Sequence, residues 1–312
     1  MSSPEEAKEI IRRWNEEGWS GGKYDLAHEI ISPDMVVHGA GGQTVGMGPD
    51  GLIDLIKTWR TAFPDGRMEI DDLIVEGDTV AIRNTWHGTH EAEFYGVPPS
   101  GKQVSVTSVG IDRVTDGLVS EGWGELDMVG MMQQMGALPI VGPGAVANKA
   151  EPVWGPTRSS STGDAGSPDA NKELLLRLID ALANADVSAA TELVDADVFV
   201  DHNPGWGTTD LPSVVESYEG LRRALPDLAF DVDRSNMVCD GDQVAAHSIV
   251  RGTHTGDALF GVEPSGNELV WTHTDFVRIA DGKIVERWTA TDMLTLFQQA
   301  GVLPSPGGDG GS

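Results

Sequence analysis

One arrangement of chemistry-bearing residues occurs twice in the chain. It is Glu-x-Trp-x-x-x-Asp, first as Glu121, Trp123 and Asp127, then as Glu286, Trp288 and Asp292. Each set closes a segment that alternates with strand period, so its members share one face. If that face is concave, the indole and the aspartate enter one pocket. A carboxylate beside an indole is partly desolvated, and its pKa rises toward the range of a general acid/base. The same aspartates directly precede short apolar helices at Met128 and Met293, where a carboxylate caps the helix. The two roles are not exclusive. Glu and Asp are six residues apart, roughly 20 Å along a strand. That is too far for a glycosidase-type pair, so Glu121 and Glu286 read as rim or ion-pair residues.

Histidines are the next candidates. His38 and His202 stand at equivalent places after short apolar runs, and His90 and His254 each end a Gly-Thr-His motif. A shared role or a shared structural hydrogen bond explains either pair. His273 occurs only in the second half, opposite Ser108 of the first. It shares a strand face with Trp271 and Asp275, where the first half has Val106 and Gly110. The second half therefore has the more polar candidate pocket. His87 and His90 face opposite sides of a strand and do not chelate together, and no helical His/Glu pair is present. No P-loop, dinucleotide fingerprint or nucleophile elbow occurs. The expectation is chemistry with no metal and no cofactor.

These candidates belong to a long internal repeat. Phe63-Pro64-Asp65, Gly88-Thr89-His90, Gly96–Gly101, Asp116-Gly117, Gln133-Gln134 and Leu138-Pro139 return in order. Their counterparts are Leu225-Pro226-Asp227, Gly252-Thr253-His254, Gly261–Gly266, Asp281-Gly282, Gln298-Gln299 and Leu303-Pro304. The offset drifts only from 162 to 165 residues, far beyond the period of a solenoid. One domain has been duplicated, with copies at 1–139 and 168–304. Between them lies a Gly/Pro/Ser-rich linker, 140–167, and residues 305–312 form a Gly/Ser tail expected to be disordered.

Within each copy helices come first. Ser3-Pro4-Glu5-Glu6 carries a capping box. Ile10, Ile11 and Trp14 follow at helical spacing, a second helix is expected near 24–31, and Leu52, Ile53, Ile56, Trp59 and Phe63 form the stripe of a third. After Pro64 the period becomes two over 68–76, 78–90, 102–114 and 118–127, an antiparallel meander closed by a helix at Met128–Met135. Helices followed by a meander predict an α+β fold.

The 312 residues carry a net charge of −28 and a single cysteine, Cys239. Such a surface repels phosphate backbones and anionic lipid, so neither nucleic acid nor membrane is an expected partner. One cysteine excludes an intramolecular disulfide. The N-terminus does not read as a signal peptide, and no run reaches the ~18–20 apolar residues of a membrane span. A cytoplasmic protein is expected.

The motif string resembles the SnoaL-like polyketide cyclase family of the NTF2-like superfamily, in both copies. The fused form is similar to the tandem JadX-like proteins of angucycline-type gene clusters. The resemblance implies two tandem domains, each a helical cone over a curved antiparallel sheet with one deep pocket, paired as an internal pseudo-dimer or a homodimer. It implies cofactor-independent ring closure of an aromatic polyketide by intramolecular aldol condensation, with an aspartate at the end of the last strand as acid/base. That aspartate maps to Asp127 and Asp292, and the pocket histidines to His38, His202 and His273. Trp123, Trp288, Trp271, Asp275, His90 and His254 are then the expected ligand contacts. The first copy departs from the pattern at Ser108, Gly122 and Gly124, which makes the second the expected active one. A non-catalytic binder of a hydrophobic aromatic metabolite, and a pseudo-dimer scaffold with no large pocket, are the competing functions.

Overall fold

The computed structural model describes residues 3–39, 42–138, 166–203 and 208–304. The tail and nearly all of the linker lie outside the described residues.

In the first copy, α1 (Pro4–Arg13) begins on the capping box read from sequence, with Ser3 and Glu6 bonded reciprocally. It runs into a π-helical turn, Trp14–Ser20. Hydrogen bonds of i→i+5 type bring residues five apart onto one side, which aligns Trp14 with Trp19. Gly18 makes the turn possible, because a Cβ there would lie 2.6 Å from the Trp14 ring. A short α2 (Ala27–Ile30) and the amphipathic α3 (Gly48–Ala62) complete the helical layer. The strands are β1 (Ile31–His38), β2 (Thr44–Gly46), β3 (Arg67–Glu76), β4 (Thr79–Thr89), β5 (Gln103–Thr115) and β6 (Leu118–Leu126). They form one sheet in the order β2-β1-β6-β5-β4-β3, in which only β1–β6 is parallel. The closing helix α4 (Met128–Met135) stops at Gly136, whose φ of 84° is left-handed.

The second copy repeats the plan. Its helices are α5 (Pro168–Ala183), α6 (Val187–Leu193), α7 (Leu211–Ala224) and α8 (Met293–Gln299). Its sheet contains β7 (Val200–His202), β8 (Ala229–Val232), β9 (Val238–Asp240), β10 (Gln243–Thr253), β11 (Glu268–Ala280) and β12 (Lys283–Thr291), in the order β7-β12-β11-β10-β8 with β9 beside β10. The α+β fold expected from sequence is the observed one.

The repeated motifs turn out to be scaffold. Asp65 accepts from the Thr89 N–H and hydroxyl, both at 2.7 Å, and Asp227 does the same with Thr253, both at 2.6 Å. These bonds hold both carboxyls below the ordinary aspartate range. Gln134 accepts from Ser105 N and donates to Ser105 O, and Gln299 treats Val270 identically, tying the last helix to the sheet. Asp116-Gly117 and Asp281-Gly282 both have positive φ at each residue, the requirement of a two-residue hairpin turn.

Within the chain the two sheets pack face to face. Ile74, Ala81, Val109, Ile111 and Trp123 form one buried cluster with Val238, Ala245, Phe276, Trp288 and Ala290. Reciprocal polar contacts frame it, as a two-fold interface requires. Cys239 N donates to Glu76 at 2.8 Å and Val75 N to the equivalent Asp240 at 3.2 Å. Lys172 pairs with Glu76 at 2.6 Å and Lys8 with Asp240 at 2.7 Å. Buried Arg83 pairs with Asp72 and lies 4.2 Å over the Trp288 ring. Replacing Arg83 with alanine removes a desolvated ion pair and a cation–π contact at the seam. It should lower the stability of the chain by about 2–4 kcal/mol in urea denaturation.

Candidate functional site

Strand alternation separates two sets of side chains on β5 and β6. Register pairs Ile111 with Trp123 and Val109 with Glu125, while Gly110 faces Gly124 and Asp112 faces Gly122. The first set points to the seam between the copies, the second to the helices. Both indoles pack in the seam: Trp123 still borders the first cavity, while Trp288 is absent from the lining of the second, where sequence placed it. His38 stacks on Trp123 at 4.8 Å and 8°, and His202 on Trp288 at 4.9 Å and 6°. His38 also bonds Glu121 at 2.8 Å and Thr44 at 3.0 Å, and Arg113 holds Glu121 at 2.5 Å. In the second copy Glu286 is held by Arg278 at 2.6 Å and lies 3.4 Å from His202. Glu121 and Glu286 are thus ion-pair residues. The Glu-x-Trp motif and the paired histidines build the interdomain face.

Asp127 and Asp292 occupy the N-caps of α4 and α8. Asp127 accepts from Gly130 N at 2.8 Å and Asp292 from Thr295 N at 3.1 Å. Burial pushes the Asp127 carboxyl up against that hydrogen bond. Neither aspartate lines the cavity of its own copy. His90 and His254 are fully buried at the base of the 91–101 and 255–266 loops. His90 bonds Ser100 at 3.1 Å, and His254 donates to the Asp257 carbonyl at 3.1 Å. Both clamp loops and stand away from the cavities.

Between the helices and sheet of the first copy lies a cavity of about 320 Å³. Trp14, Trp19 and Trp59 wall it from the helical side, and Met35, Met47 and Met68 also line it. Trp86, Asn84 and Ser108 line it from the sheet, and the Ser108 hydroxyl donates to Asn84 Oδ1 at 2.6 Å. Gly110, Gly122 and Gly124 contribute bare backbone, which brings the main chain of Trp123 and Glu125 to the cavity wall. The Glu125 carboxylate points the other way, 3.5 Å from His247 of the second copy.

Among the described residues Asp112 is the one carboxylate whose side chain enters this cavity. It is half-buried, with its Oδ1 packed over Gly122. Among the described residues no donor hydrogen-bonds it, so desolvation stands unopposed and raises its pKa from 3.8 to about 7. A carboxyl titrating there accepts and returns a proton near neutral pH. Asp112 has Val277 as its counterpart, so comparison of the two copies gives no signal for it; the one sequence signal is an acidic residue facing inward on a strand.

In the second copy the cavity between helices and sheet has shrunk to about 20 Å³, room for about one water, while a groove of about 570 Å³ lies outside it over α7 and residues 257–260. Arg287, Asp275 and Thr289 stand where the first copy has Gly122, Gly110 and Gly124. The Arg287 guanidinium fills the space, donating to Asp275 at 2.7 Å, the Tyr218 hydroxyl at 2.9 Å, Asp201 at 3.3 Å and His273 at 3.4 Å. His273 in turn bonds Thr291 at 2.7 Å. Burial acts to raise the Asp275 carboxyl, but Arg287 and His273 outweigh it and hold it below the carboxylate range. Asp201 moves up, since its burial outweighs the same guanidinium. Trp271 packs at the edge of this network. His273, Trp271 and Asp275 are thus together, as sequence placed them, but they plug a pocket. The glycines that counted against the first copy are what opens it.

Among the described residues no group of three or more His, Cys, Asp or Glu side chains is placed to hold a metal ion, and no helix is long and apolar enough to cross a membrane.

Comparison with solved structures gives matches that each span one copy. IdmH of Streptomyces antibioticus, a candidate polyketide cyclase, is 31% identical over 42% of this chain and 98% of its own, with a TM-score of 0.38. AclR of Streptomyces galilaeus, a candidate hydroxylase, is 31% identical over 44% and 100%, with a TM-score of 0.40. TsrD of Streptomyces laurentii is 26% identical over 44% and 100%, with a TM-score of 0.41. Among curated proteins none matches. The SnoaL-like polyketide cyclase model matches twice, over residues 9–135 and 172–300, and the chain belongs to the SnoaL-like polyketide cyclase family.

Proposed function

We propose that the chain is a cyclase-like protein of aromatic polyketide metabolism with one working site, in the first copy. The cavity there takes a flat hydrophobic aromatic molecule, and Asp112 moves the proton. The observation that carries this reading is the Asp112 carboxylate, with no hydrogen-bond donor among the described residues, inside a tryptophan-walled space whose counterpart is filled by Arg287.

The step that fits is an intramolecular aldol closure. The Asp112 carboxylate takes a proton from carbon next to a carbonyl. The resulting enolate attacks a second carbonyl carbon and forms the new C–C bond, and the protonated Asp112 returns the proton to the alkoxide. Asn84, whose carbonyl is occupied by Ser108, offers its amide N–H groups to a substrate oxygen. The second copy then serves as a built-in partner that backs the sheet of the first.

A binding protein without chemistry is the second reading. The tryptophan and methionine lining favours it, since such side chains hold flat apolar ligands without further polar groups. Both readings predict one ligand per chain. Calorimetric titration with 1,8-dihydroxyanthraquinone should give a stoichiometry of one, with quenching of tryptophan emission. Two equivalents per chain would contradict the assignment of a single site. Turnover of a tricyclic polyketide ester separates the enzyme from the binder.

A further inference from the structure

The floor of the first cavity is unusual for a sheet interior. Gly110 and Gly124 are cross-strand partners, and Gly122 lies two residues along β6. Glycine inside a strand weakens the sheet and marks a bulge, a bend or a close approach by another group. None of the three has left-handed φ. A Cβ on Gly124 would meet nothing nearer than the Val109 carbonyl oxygen at 3.8 Å. On Gly110 it would meet the Ile82 Cγ2 methyl at 3.3 Å, and on Gly122 the ends of Asp112 and Met35 at 2.9 and 3.3 Å. The close neighbours at Gly110 and Gly122 are side-chain ends, and the backbone atoms near Gly110 and Gly124 stand at 3.6–3.9 Å, ordinary van der Waals contact. Neither chain geometry nor protein packing requires glycine at Gly124. Gly110 and Gly124 produce a bare patch of peptide planes, about 5 Å across the strands, and Gly122 extends it along β6 beneath Asp112 and Met35.

We infer that this three-glycine floor is the specificity determinant of the cavity. It seats the face of a planar fused-ring ligand directly on the backbone of β5 and β6 and sets the thickness of what fits beneath Trp14, Trp19 and Trp59. The inference rests on the reading of the first copy as the ligand site, not on proton transfer by Asp112. The second copy supplies the contrast: side chains at the same three positions leave about 20 Å³.

The test is binding of two probes, 1,8-dihydroxyanthraquinone and phenol, to the parent chain and to Gly124→Ala, Gly124→Val and Gly110→Ala. Side chains at position 124 project into the cavity, so the three-ring probe should lose at least tenfold in affinity to Gly124→Val and an intermediate amount to Gly124→Ala. Phenol should change less than threefold. The melting temperature of Gly124→Val should not fall, because valine suits a strand better than glycine, which separates lost fit from lost fold. Three-ring binding within threefold of the parent in Gly124→Val overturns the inference, as does an equal loss for both probes. A parent that binds neither probe overturns the ligand-site reading and this inference with it. Failure of Asp112 variants to alter turnover touches only the proposed chemistry.

Discussion

Asp112→Asn should abolish turnover and at the same time stabilise the protein. The amide keeps the shape of the side chain and removes its base, so kcat/KM for ring closure should fall by about 10²–10⁴. In the parent, activity should rise with pH and reach half its plateau near pH 7, where the carboxyl ionises. The stability effect has the opposite sign. The folded-state pKa is raised from 3.8 to about 7, so between those values the folded chain holds a proton that the unfolded chain gives up. Parent stability therefore falls as pH rises through that window, toward a limit of about 4 kcal/mol. Asp112 is half-buried on a cavity wall, and solvent there reduces the cost to about 1–3 kcal/mol. Asp112→Asn should be more stable than the parent by that amount at pH 8 and indistinguishable from it at pH 4. A purely structural aspartate would lose stability on the same change.

Arg287→Ala should be the most destabilising single substitution in the second copy. The guanidinium is buried and is shared by Asp275, Asp201, Tyr218 and His273. Truncating it strands carboxylates that have no access to water, at a cost of about 3–5 kcal/mol. The sign with pH follows from Asp275, whose carboxyl the parent holds below its ordinary range. That stabilisation is present above the unfolded pKa of the group and is lost as pH falls through the folded value. In Arg287→Ala the Asp275 carboxyl is free to protonate, so the deficit in urea should be largest at pH 7–8 and shrink toward pH 4. Arg287→Ala does not touch the first cavity, so affinity for the three-ring probe, measured below the melting temperature, should stay within about threefold. A loss confined to binding, with stability intact, would instead make the second copy a ligand site.

The fold was legible because the repeated motifs are the parts that hold it. Asp65 with Thr89, Gln134 with Ser105 and the Asp116-Gly117 turn are local devices of fixed chemistry, and each has its partner in the second copy. Helix Met128–Met135 and strand limits such as 118–127, observed as Leu118–Leu126, follow from period and turn residues alone. The π-helical turn at Trp14–Ser20 was not legible, since a shift to i→i+5 bonds leaves the apolar spacing unchanged. The site was read less well, for two physical reasons. Alternation separates Glu121, Trp123 and Glu125 from Gly122 and Gly124, but does not say which set faces the helices. The set rich in functional groups faces the other copy, and the set without side chains faces the cavity. Comparison of the copies also selected for what both retain, and that is scaffold. The cavities diverged between them, and the mismatches mark where: Asp112 against Val277, Gly110 against Asp275, Gly122 against Arg287 and Gly124 against Thr289. Ser108 against His273 is visible in sequence, but there it reads as a loss in the first copy.

A crystal structure of the chain with 1,8-dihydroxyanthraquinone distinguishes one open site built on Asp112, with the second copy plugged, from two working copies. One molecule per chain should lie between the tryptophan wall and the Gly110–Gly124 floor, with an oxygen within about 3.2 Å of the Asp112 carboxyl and Arg287 undisturbed. A molecule bound in the second copy with Arg287 displaced, or one in the first copy remote from Asp112, would contradict this arrangement.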